Sequence, residues 1–82
     1  SDILALSKSG MITLTGHTSP QVVRTGMVTQ LLGVIIVRGK NIPPPTITMA
    51  KQFNTLLLRT EYGMFTSCGK LYEKGLRGGD DQ

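Results

Sequence analysis

The segment that most narrows what this chain can become runs from Leu31 to Val37, reading Leu-Leu-Gly-Val-Ile-Ile-Val, and breaks at once into Arg38-Gly39-Lys40-Asn41. An unbroken apolar run rich in β-branched residues predicts a strand buried on both faces, because a strand with one wet face would alternate. Gly39 and Asn41 predict a tight type I′ or II′ turn directly after it. A doubly buried strand needs cover on two sides, and the chain has 82 residues to supply it. A domain of that size buries a small share of its surface and is marginal alone. Cys68 is the single cysteine and His17 the single histidine, so neither an internal disulfide nor a four-ligand His/Cys metal site can make up the deficit. Self-association is the remaining route, and an unpaired thiol fits a reducing compartment.

The flanking segments read as further short strands separated by glycine turns. Ser1-Asp2 predicts a cap for a short helix over Ile3 to Lys8, which Ser9-Gly10 ends. Met11 to Thr15 alternates, with Ile12 and Leu14 on one face. Gln21 to Leu31 is rich in β-branched residues, and Gly26 within it predicts a bulge or a sharp bend. Ile42 to Thr46 carries three successive prolines and predicts an extended, polyproline-like connector or a sheet edge. Thr46 to Met49 alternates again, while Phe53 to Thr60 and Met64 to Cys68, on either side of Glu61-Tyr62-Gly63, predict a hairpin. The expected architecture is all-β: a small, strongly bent barrel of five or six strands over residues 1–72, behind one short N-terminal helix. A mobile, glycine-rich charged tail is expected at 73–82.

Charge is distributed unevenly. Between Ile3 and Tyr72 seven bases stand against Glu61 alone, which favours a polyanionic partner. The residues needed for hydrolytic or acid/base chemistry are missing from the pattern: there is no carboxylate pair, and His17 lies in a Gly-His-Thr-Ser-Pro turn as an expected loop residue. Cys68 sits among apolar neighbours, the setting of an inert core thiol. Neither an enzyme nor a cofactor is expected. No stretch reaches the roughly 18 to 20 apolar residues that span a bilayer. Ser1-Asp2 and the brief apolar run after it lack the pattern of a secretory signal, so the expected location is cytoplasmic with no membrane partner.

The opening segment also resembles the second signature motif of the Sm and Sm-like RNA-binding proteins. Leu32, Gly33, Val34, Ile35, Ile36, Val37, Arg38, Gly39, Asn41 and Ile42 match that motif. The resemblance implies a five-stranded bent barrel of the Sm/SH3-like kind, whose subunits form a ring and bind single-stranded RNA near the pore, with Arg38 and Gly39 lining it. A likeness to the family's other motif falls after this one, at Thr46 to Arg59, where Asn54 would stand for the base-contacting asparagine and Lys51 or Gln52 replaces an aspartate. A looser resemblance, of Ser1 to Gly16 and Leu56 to Lys70, is to the tryptophan RNA-binding attenuation protein, another all-β ring.

Two functions of different class are therefore expected from the sequence. The first is an oligomeric module binding RNA or single-stranded nucleic acid, with Arg38, Gly39, Lys40, Asn41, Lys51, Asn54 and Arg59 at the contact. The second is a self-assembling structural protein, such as a phage or viral capsid, tail or accessory component, on which the basic turn is merely solvated. Phe53, Tyr62 and Phe65 are the aromatics available for stacking on bases, and they compete with the core for that use.

Overall fold

A computed structural model describes residues 3–4, 11–28 and 32–78. In chain order the elements are strand β1 (Ile3–Leu4), strand β2 (Ile12–Thr15), helix α1 (Gln21–Val28), strand β3 (Gly33–Ile36), helix α2 (Pro44–Gln52), strand β4 (Leu56–Arg59) and helix α3 (Met64–Glu73). The strands form one open sheet in the order β1-β2-β3-β4. β1 is antiparallel to β2, whereas β2, β3 and β4 are parallel. The fold is thus an α/β sheet of two successive βαβ units, and the expected all-β, five- or six-stranded barrel is incorrect. The β-barrel and Sm-like architecture falls with it.

The strand at Leu32 to Val37 is where it was expected. Val34, Ile36 and Val37 are fully buried, and β3 is flanked by β2 and β4. The expected burial on both faces holds in part: Val34 and Ile36 are fully buried, whereas Ile35, on the opposite side of the strand, is half-buried. In register, Thr13, Val34 and Leu57 point to one side of the sheet, as do Thr15, Ile36 and Arg59. On that side Val22 and Val23 of α1 and Ala50 of α2 pack on Val34 and Ile36, with Ile42, Met49 and Leu57 around them. The opposite side carries Ile12, Leu14, Gly33, Ile35, Leu56 and Leu58. Gly33 allows the close approach of β4, because a Cβ there would lie 3.0 Å from the Leu56 carbonyl oxygen.

Each misread segment has a physical reason. Gln21–Val28 is a helix despite its β-branched content, since Val22, Val23 and Gly26 share the face that meets the sheet. Gly26 is therefore a buried helical residue and not a bulge. The prolines are a helix start: Pro43 caps α2, and Pro44 and Pro45 occupy its first turn, where a missing N–H costs nothing. Thr46 and Ala50, four apart, then form its buried face, so Thr46 to Met49 is helical and not a strand. β4 is a strand as expected, but Met64 to Cys68 belongs to helix α3, which runs to Glu73, instead of pairing back as a hairpin. Ile3–Leu4 is a strand, while the rest of the expected N-terminal helix lies outside the described residues, as do 29–31 and the tail from 79. Residues 74–78 close α3: Gly75 adopts φ 105°, Leu76 N–H donates to Leu71 O at 3.0 Å, and Arg77 lies 3.8 Å over the Tyr72 ring.

Candidate anion-binding edge

In an open parallel sheet the loops that leave the carboxyl ends of the strands gather along one edge, the usual place for ligands. Here those loops are 16–20 after β2, 37–43 after β3 and 60–63 after β4. They are tied together strand by strand. Val37 N–H donates to Thr15 O at 3.0 Å, and Thr60 N–H to Ile36 O at 2.9 Å. The chain then turns at Arg38 and Gly39, with φ of 70° and 61°. Two successive left-handed residues make the primed type of turn, which glycine tolerates and arginine resists. The surroundings hold Arg38 there: its N–H donates to Tyr62 O at 2.7 Å, and that of Gly39 to Thr60 O at 2.8 Å. Its Cγ also lies near Gly63, the N-cap of α3.

The cationic side chains brace the same loops. Lys40 Nζ donates to Gly16 O at 2.6 Å, linking the β3–α2 turn to the β2–α1 loop. Arg59 is delivered by the register that sets it beside Ile36, and it donates through Nε to Lys40 O at 2.9 Å and through Nη2 to Gly39 O at 2.7 Å. Its Nη2 also pairs with Glu61 Oε2 at 3.1 Å. On the helix side, Thr46 Oγ1 donates to Thr18 O at 2.6 Å, and His17 N–H to Thr15 Oγ1 at 3.0 Å. Lys70 Nζ sits 4.8 Å from the centroid of the Tyr62 ring. The outcome is an edge bearing Arg38, Lys40, Arg59 and Lys70, with Glu61 as its acid.

Helices α1, α2 and α3 all begin at this edge, and none carries an acid in its first turn. Their positive N-terminal ends therefore add to the side-chain charge. Lys40 and Arg59 spend some donors on carbonyls, but an ammonium has three and a guanidinium five, so each keeps donors for a ligand. Tyr62 is half-exposed and Phe65, in the first turn of α3, is 92% exposed, so the edge also presents aromatic faces.

Of the residues expected at a contact, the fold brings together Arg38, Gly39, Lys40, Asn41 and Arg59. Lys51 and Asn54 lie elsewhere, at the end of α2 that precedes β4 and hence on the amino edge of the sheet. There Asn54 has a structural task. It takes the left-handed position after α2 with φ 54°, its N–H reaches Lys51 O at 3.3 Å, and Thr55 N–H reaches Ala50 O at 2.9 Å, the two bonds of a Schellman cap. The loop Gly16 to Pro20, expected only as a turn around His17, belongs to the same edge, since the Gly16 and Thr18 carbonyls accept from Lys40 and Thr46. Pro20 at its end leads into α1, its carbonyl oxygen accepting the Val23 and Arg24 N–H groups at 3.1 and 3.2 Å. No family model, curated protein or solved structure matches the chain.

Proposed function

We propose that this protein is a non-catalytic binding module for a phosphate-bearing ligand of the nucleotide type, held at the carboxyl edge of its parallel sheet. Single-stranded RNA and free nucleotides present that same chemistry, a phosphate beside an unstacked base. The observation that carries the reading is the placement of Arg38 and Lys40, on the loop after β3, beside Arg59, at the end of β4, on the edge where three helices begin. Opposing charge is slight, because Glu61 is already paired with Arg59. Exposed Tyr62 and Phe65 supply stacking surfaces of the kind that single-stranded nucleic acids use.

The test is a salt-titrated binding assay with a single-stranded RNA oligonucleotide and, separately, ribonucleoside 5′-monophosphates. Two or three phosphate contacts predict that log K falls with log salt at a slope of roughly −1.4 to −2.1 for a single strand. Arg38→Gln should flatten that slope, whereas Lys51→Gln, on the far edge, should leave it nearly unchanged. Absence of binding by either ligand at low salt would refute the reading.

One observation favours the second reading, self-assembly. Leu56 and Leu58, on the side of the sheet away from α1 and α2, are 54% and 45% exposed. β4 is moreover the last strand of the sheet, and an exposed apolar edge strand invites pairing with another chain. Native mass measured with and without Leu58→Lys tests it: a concentration-dependent oligomer lost in the variant supports assembly, and a monomer in both counts against it.

A further inference from the structure

Beside the basic edge lies a cavity of about 290 Å³ between β2 and the start of α1. Thr13 and Thr15 line it from the strand, His17 and Ser19 from the loop, and Gln21 and Val22 from the helix. Thr13 is the residue that points to a ligand. It is 4% exposed, it is one of the residues lining this cavity, and its buried Oγ1 has no hydrogen-bond partner. A buried hydroxyl without a partner opposes folding, and valine would fill the same shape without that cost. Such a group in a native interior calls for an explanation, and a bound molecule supplies one.

The other polar groups describe the occupant. Thr15 Oγ1 already accepts the His17 N–H, so it shapes the loop. Gln21 Oε1 accepts from Arg24 Nη1 at 3.0 Å, which orients its amide and leaves the NH₂ group to donate. Ser19 and His17 stand exposed at the rim. Among the described residues no carboxylate, ammonium or guanidinium lines the cavity, and its exposed walls are mainly apolar, so the matching ligand surface is neutral and largely apolar with few hydrogen-bonding atoms, as on the face of a base. The volume is at the small end of ligand pockets, which run from roughly 300 to 1,000 Å³. Gly16 O, one residue from His17, is held by the Lys40 ammonium, so the neutral cavity adjoins the cationic edge.

We propose that this cavity takes the nucleoside part of the ligand, with the Thr13 hydroxyl bonding a base heteroatom or a ribose hydroxyl. The choice of nucleoside rests on reading the neighbouring edge as a phosphate site. The test is a titration of the four ribonucleosides and their 5′-monophosphates into the wild-type protein, Thr13→Val, Thr13→Ser and Arg38→Gln, followed by NMR shifts and calorimetry. At least one nucleoside should bind, and Thr13→Val should weaken both it and its monophosphate about 2- to 10-fold, the worth of one neutral hydrogen bond. Thr13→Ser should restore the affinity, which a purely structural role would not require. Arg38→Gln should weaken the monophosphate and leave the nucleoside unchanged. If no nucleoside binds at millimolar concentration, or if Thr13→Val binds as well as wild type, the inference is overturned. A monophosphate that binds while Thr13→Val changes nothing removes the cavity and keeps the edge. A nucleoside that binds as tightly as its monophosphate at low salt does the reverse.

Discussion

Arg59→Met should reveal how strongly one side chain holds the carboxyl edge together. Methionine keeps the stem volume and removes two charge-assisted bonds, to Lys40 O at 2.9 Å and Gly39 O at 2.7 Å, together with the ion pair to Glu61. Hydrogen bonds to charged groups contribute about 1.5–3 kcal/mol each when sheltered. Here the Arg59 side chain is 42% exposed, and the freed carbonyls can turn to water, so about half the lower figure per bond is appropriate. The ion pair adds little, about 0–1 kcal/mol, because the Glu61 side chain is 77% exposed. The sum is a loss of roughly 1.5–2.5 kcal/mol, from a total of about 4–12 kcal/mol for a domain of this length. Glu61→Gln isolates the minor component and should cost less than about 0.5 kcal/mol. Urea unfolding of both variants, followed by far-UV circular dichroism, measures the difference. Hydrogen exchange should localise it, with the Arg38 and Gly39 amides losing protection in Arg59→Met. If Arg59→Met costs no more than Glu61→Gln, the carbonyl bonds do not brace the edge and the reasoning fails.

Gly39→Ala should destabilise by about 1–3 kcal/mol in urea unfolding, since φ of 61° is strained for alanine and its Cβ would sit 2.5 Å from Glu61 Oε1. Thr13→Val should raise stability by about 1 kcal/mol, seen as a melting point higher by roughly 4–8 °C, because an unpaired buried hydroxyl is removed without changing shape. Asn54→Ala should cost about 1 kcal/mol while Asn54→Gly costs nothing, since only the left-handed cap position is at stake; thermal melts distinguish these. RNA affinity of Asn54→Gly should equal that of wild type, as Asn54 lies at the opposite edge from the proposed site.

Part of the candidate site is legible in the sequence. Arg38 to Asn41 stood out because the turn follows a long apolar run, and that turn does lie on the basic edge. Lys51 and Asn54 were grouped with it by likeness to a sequence motif, yet two parallel strands and a returning helix place them at the other end of the sheet. Thr13 was invisible as a functional residue, because a threonine in an alternating segment has the same local signature whether its hydroxyl is paired or not.

The chain's punctuation and its central strand follow from local chemistry. Gly39 permits a turn that few residues allow, and the apolar run that holds Val34, Ile36 and Val37 offers no polar face to water, so nearly any fold of this sequence would bury much of it. Helix or strand at Gln21–Val28 and Pro44–Gln52 is a different matter. Segments of eight and nine residues are too short to hold a helix by themselves, and the β-branched content of the first pulls toward strand. They become helices because that conformation turns Val22, Val23, Thr46 and Ala50 onto one side, over Val34 and Ile36. The gain from closing that core exceeds the local preference. The same packing makes the sheet parallel, and parallel order brings Arg59 across twenty residues of chain to the carbonyl of Gly39.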